Sequence, residues 1–135
     1  MPDKAFIDTN VFVYLNTDTE PDKIEKARSV INRYDCVVST QVANELCNVL
    51  TRKFSIKANE INDIILVMES VCDVAHLTLE TTKKALDIHD RYGYSYYDSL
   101  ILSTALDHNC KYVISEDLQE GQIIEGKLTI INPFK

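Results

Sequence analysis

The chain has 135 residues, 45% hydrophobic and 26% charged, with a formal net charge of −7. This describes a single globular domain, residues 1–135, with enough apolar material for a core, and not a fibrous, disordered or membrane-embedded chain. The acidic balance argues against broad, non-specific adhesion to nucleic acid, which needs a basic surface; it leaves room for a nuclease whose local positive charge is a bound cation.

The opening Met-Pro-Asp-Lys lacks the apolar core of a secretion signal, and no apolar run reaches membrane-spanning length. The expectation is a cytoplasmic protein without a membrane partner. Ala5, Phe6 and Ile7 read as a short buried strand, and Val11 to Leu15 as the first turns of a helix. Thr19-Glu20-Pro21 starts a second helix, with proline where its missing N–H costs least. Its inner face is Ile24, Ala27, Val30, Ile31 and Tyr34.

Cys36 to Val38 make a second strand. Ser39 or Thr40 can cap the helix that follows, which turns Val42, Leu46, Val49 and Leu50 inward. A linker holding Ser55 and Lys57 leads to a helix from Asn59 to about Cys72, and Val74 to Leu77 form a third strand. Thr78 caps a helix ending near Tyr92, with Gly93 suited to its final turn. Ser95 to about Asn109 is a further helix, Lys111 to Ser115 a fourth strand, and Leu128 to Ile131 a fifth after a turn-rich loop. Strands alternating with helices imply an α/β domain with a mostly parallel five-stranded sheet covered on both faces. Cys36, Cys47, Cys72 and Cys110 are widely spaced and read as reduced, mostly buried thiols.

Of 21 Asp and Glu residues, four sit among apolar neighbours. Asp8 follows the first strand and Asp117 the fourth; Glu45 and Asp98 lie on helices beside inward-facing stripes. Each has an ordinary use: Asp8 as a helix cap, Glu45 as an exposed partner for Lys or Arg, Asp98 as a first-turn acid, Asp117 as a turn residue. Gathered together they would repel, and a hard cation such as Mg²⁺ or Mn²⁺ would relieve that repulsion. Glu116 alternates away from Asp117 in an extended stretch and is expected to face solvent, or at most to support the site from behind. Arg52, Lys53 and Lys57 form a short basic run that is either a solvated helix end or a phosphate contact. Tyr92, Tyr94, Tyr96 and Tyr97 cluster before Asp98; packing is their default use, although an exposed ring could stack on a base.

Phe6 to Tyr14, Val38 to Leu46, Ser95 to Ala105 and Val113 to Gly121, with the closing Asn132-Pro133-Phe134, resemble the PIN-domain ribonucleases. Within them the chain is similar to the VapC-type toxins of toxin–antitoxin pairs. The resemblance implies a PIN-like fold and the cleavage of single-stranded RNA to a 5′-phosphate and a 3′-hydroxyl, dependent on Mg²⁺ or Mn²⁺. It makes Asp8, Glu45, Asp98 and Asp117 the metal-binding and catalytic acids, holding one ion or two, and Thr9, Asn10 and Ser115 orienting groups. It further implies an antitoxin partner and a homodimer formed through helix faces. A housekeeping RNA-processing nuclease and a catalytically idle binding module of the same fold are the alternatives. A phosphoacceptor domain would show adjacent acids after its first strand, and an Asp-nucleophile phosphatase a second Asp where this chain has Asn10; both are disfavoured.

Overall fold

A computed structural model describes all 135 residues, Met1–Lys135. Its centre is β1 (Lys4–Ile7), whose Ala5, Phe6 and Ile7 are wholly buried. A strand shielded on both faces needs such an unbroken apolar run. β1 is followed by α1 (Thr9–Asn16) and α2 (Pro21–Arg33), the latter with proline in its first turn. β2 (Asp35–Ser39) pairs parallel to β1, with Phe6 opposite Val37, and leads into α3 (Thr40–Arg52). The Ser39 hydroxyl accepts the Val42 N–H at 3.2 Å and caps α3.

α4 (Ala58–Val71), β3 (Asp73–Ala75), α5 (Leu79–Tyr92) and α6 (Tyr96–Asp107) come next, then β4 (Tyr112–Ile114), β5 (Ile123–Ile124) and β6 (Leu128–Ile131). Thr78 and Thr81 form a reciprocal capping box at the start of α5, and Gly93 closes that helix in a left-handed conformation with φ of 78°. Ser99 to Ala105 of α6 are all buried, and the hydroxyls among them bond backbone carbonyls: Ser103 to Thr81 O at 2.8 Å, Thr104 to Leu100 O at 2.7 Å.

The strands lie in the order β3-β2-β1-β4-β6-β5, all parallel except β5, which runs against β6. The sheet thus has one strand more than the sequence implies. The extra strand comes from a tight hairpin: Glu125 and Gly126 both have positive φ, and Lys127 N–H bonds Ile124 O at 3.1 Å. That is the turn whose twist suits paired strands, but Glu-Gly is not its usual signature. β3 sits earlier than read, at Asp73–Ala75, because Val37 to Ser39 of β2 supply its only ladder.

The chain winds outward from β1 to β3 on one side, then returns to place β4 on the other side of β1. The reversal lies between β1 and β4. In open parallel sheets the crevice at the carboxyl ends of such a pair is where ligands bind. All four cysteines are free thiols, with Cys36, Cys72 and Cys110 buried. No helix is long and apolar enough to cross a membrane.

Candidate active site

Asp8 and Asp117 leave the carboxyl ends of β1 and β4, the two strands that flank the reversal. Asp8 is only 7% exposed, although a lone carboxylate is costly to bury. Its oxygens are both engaged. Thr9 N–H donates to Oδ1 at 2.7 Å, and the Ser115 hydroxyl donates to Oδ2 at 2.8 Å. Asp8 N–H itself donates to Ile114 O at 3.0 Å, tying the end of β1 to the end of β4. Asp8 therefore does cap α1, as one of its two ordinary readings has it, while its second oxygen serves the opposite strand.

Ser115, 1% exposed, accepts the Asp117 N–H at 3.1 Å while donating to Asp8. One hydroxyl thus sets the spacing between two acids. Thr9 offers its backbone N–H, while its buried hydroxyl oxygen has no hydrogen-bond partner. Asn10 spans a gap: its amide nitrogen lies 3.2 Å from both Glu116 Oε1 and Asp117 Oδ2.

Glu45 is exposed on α3, one residue before buried Leu46, and Asp98 is half-buried in the first turn of α6. The two helices are joined by Gln41, whose side-chain nitrogen donates to Tyr97 O at 3.3 Å. Gln41 lies one turn before Glu45 on the same face, and Tyr97 immediately precedes Asp98. Gln41 Oε1 is also buried without a partner.

The charges act on one another. Burial pushes the Asp8 carboxyl above its usual range; the Ser115 and Thr9 hydrogen bonds oppose this, and the charges of Asp117 and Asp98 add to it. Glu45 is raised by partial desolvation first and by Asp8 second, with Asp98 and Asp117 contributing; water screens this field because Glu45 is exposed. Asp117, also exposed, is raised by desolvation, then by Glu116 and Asp98, with Lys23 pulling the other way. Four carboxylates from four separate elements therefore share one electrostatic neighbourhood.

No three of them converge on a ready-made metal cage. The donor set nevertheless suits a hard divalent ion: carboxylate oxygens only, with two partnerless buried oxygens, on Thr9 and Gln41, within the same elements. Rotamer changes at exposed Glu45 and Asp117 are the cheap route to closing the ring.

Arg52, Lys53 and Lys57 lie at the far end of α3 and in the turn before α4. α3 begins at the carboxyl end of β2, and Arg52 lies seven residues beyond Glu45, roughly 10 Å further along the axis. Lys53 lies over the Phe54 ring at 5.8 Å, and Lys57 precedes α4. Glu116 takes the second of its two expected places, behind the site and away from solvent: its side chain is 17% exposed and bonds Lys23 Nζ at 2.9 Å, the Tyr14 hydroxyl and Asn10. Sequence reasoning missed Lys23 and Tyr14, which come from α2 and α1 and carry no spacing signal toward Glu116.

Of the tyrosines, Tyr94 holds the loop after β4 and Tyr92 the turn between β5 and β6. Tyr92 OH accepts Glu125 N–H at 2.9 Å and Tyr94 OH accepts Gln119 N–H at 3.2 Å. Tyr97, beside Asp98, is 67% exposed and meets the Tyr96 ring edge to face at 5.4 Å.

The sequence profile of the PIN domain matches residues 5–119, which takes in all four acids. Among curated proteins no sequence matches the chain. Solved structures do. A toxin–antitoxin complex from Klebsiella pneumoniae superposes with a TM-score of 0.72 at 17% identity, over 96% of this chain and 97% of that one. Mycobacterium tuberculosis VapC20, described as a sarcin–ricin loop cleaving toxin, gives 0.65 at 18% identity, over 81% and 86%. FitAcB from Neisseria gonorrhoeae gives 0.65 at 15% identity, over 96% and 98%. At such identities the likeness speaks for the fold.

Proposed function

Because the chain belongs to the PIN domain family, we propose that it is a nuclease hydrolysing phosphodiester bonds of single-stranded RNA with Mg²⁺ or Mn²⁺. The observation that carries this reading is buried Asp8 at the β1–β4 reversal, raised in pKa by burial and further by the acids around it. A carboxylate so placed costs stability by itself and gains by meeting a cation. Asp8, Glu45, Asp98 and Asp117 would hold the ion. Bound there, it supplies charge stabilisation at the phosphoryl group and makes a water acidic enough to serve as nucleophile.

The chain's own residues prepare that chemistry. Ser115 and the Thr9 N–H hold Asp8 in a single orientation, and Asn10 steadies Asp117. A base of a single strand can stack on the exposed Tyr97 ring beside Asp98. No side-chain nucleophile is required.

The reading extends to biology. Two superposing structures are described as a toxin–antitoxin complex and as a toxin, which supports a role as the toxin of such a pair, with an antitoxin as partner. A homodimer is part of this reading, with Leu66, Val67 and Val71 exposed on α4 as an apolar helix face suited to a second copy. The test is cleavage of a single-stranded RNA by purified protein, with and without EDTA, beside Asp8→Asn. Metal-dependent cleavage lost in Asp8→Asn supports the site; wild-type cleavage by that variant overturns it.

A further inference from the structure

Glu116 is a fifth acid at the rim, next in sequence to Asp117, and something must keep its charge from competing with the other four. The structure shows what does. Lys23 Nζ, from α2, lies 2.9 Å from Glu116 Oε2 and 3.2 Å from the Tyr14 hydroxyl, which itself donates to Glu116 Oε1. The ammonium also sits 4.7 Å from the Tyr14 ring centroid and 5.5 Å from that of Phe134. Tyr14 and Phe134 meet edge to face at 5.0 Å, so the chain's penultimate residue backs the lysine.

With both oxygens held from behind, Glu116 Oε1 still accepts from Asn10, whose amide also reaches Asp117 Oδ2. An amide nitrogen has two hydrogens, so both bonds can be made together. The run is continuous: Phe134 and Tyr14 to Lys23, Lys23 to Glu116, Glu116 to Asn10, Asn10 to Asp117.

We propose that Lys23 is a positioning residue, which with Tyr14 anchors Glu116 outside the acidic cluster so that Glu116 can hold Asn10 against Asp117. This rests on the metal-site reading above. Charged partners behind a ligand fix its orientation, and losing them typically costs tenfold or more in metal affinity or activity. Removing Lys23 alone would also change the local charge, so the informative variant is the neutral pair K23M/E116Q, which leaves the net charge at −7.

Mn²⁺ affinity of the full chain is measured by titration calorimetry, and RNA cleavage at saturating Mn²⁺ is split into kcat and KM. The expected result for K23M/E116Q is Mn²⁺ binding about tenfold weaker, kcat about tenfold lower and KM for RNA nearly unchanged. K23R, which keeps a cation at Glu116, stays close to wild type. N10A shows the same loss, and adding it to K23M/E116Q costs nothing further, because both act through one contact. Wild-type Mn²⁺ affinity in K23M/E116Q, or losses that add when N10A is combined, overturns the proposal. If K23M/E116Q does not fold, Y14F and N10A carry the same additivity test. D8N separates the two readings: if it too keeps wild-type Mn²⁺ affinity, the metal site itself is wrong.

Discussion

At the scale of single residues, Asp8 holds a proton more tightly in the folded chain than in the unfolded one, where its value is 3.8. The sign follows from linkage: as pH rises through 3.8 and on through the raised folded value, ionising Asp8 removes stability from the metal-free protein. Asp8→Asn, uncharged throughout, is therefore expected to be more stable than wild type in EDTA at pH 7.5. The gap should narrow toward pH 4. Urea denaturation across that range reads it, and a gap independent of pH would contradict the burial argument.

Ser115 offers a sharper test, because its one hydroxyl both donates to Asp8 and accepts from Asp117. Ser115→Ala leaves the part-buried Asp117 N–H without its acceptor and removes a bond to the buried charged Asp8, a loss of about 1–3 kcal/mol by urea denaturation. If Ser115 also orients the site, cleavage should fall by about tenfold in the same variant.

At the scale of elements, the helices carry their own punctuation. Gly93 ends α5 at φ of 78°, and nothing lies within 4 Å of where a side chain would begin. Gly93→Ala should therefore cost only the left-handed backbone penalty, roughly 1–2 kcal/mol, without a steric term; a much larger loss in urea denaturation would mean a contact at that turn. Such signals explain why so much of the architecture was readable in advance. Pro21, Ser39, Thr78, Gly93 and Ser95 each fall at the helix boundary that local chemistry assigns them.

The elements misread are those whose cause is not local. β5 exists because Ile124 meets Leu128 across a turn without Asn-Gly, and β3 is set by its register on β2. Asp8, with Ser115 and Thr9 around it, stood out as a polar group in an apolar run. Glu116 is left open between solvent and the back of the site because strand alternation decides only which face a residue takes, whereas Lys23, Tyr14 and Asn10, all about a hundred residues away in sequence, decide what it touches.

At the scale of the whole molecule, the charges of Asp8, Glu45, Asp98 and Asp117 oppose one another in the metal-free fold. Mg²⁺ or Mn²⁺ is expected to raise the melting temperature above pH 6. Metal at a hundred times its Kd contributes about 2.7 kcal/mol, roughly 10 °C for a chain of this length. Asp98→Asn should shrink that shift; an undiminished shift in thermal melts would remove Asp98 from the metal-binding set.

The sheet's margins carry one more consequence. Its outer strands are β3, three residues long and begun by Asp73, and β5, two residues long and closed by Glu125 and Gly126. Each presents only a short row of unpaired amides and carbonyls, so the sheet is a poor template for a seventh strand, whether from an amyloid-like neighbour or an extended peptide. A binding segment gains little from the backbone here and must find its hold on side chains, along the helix faces and around the rim of the loops.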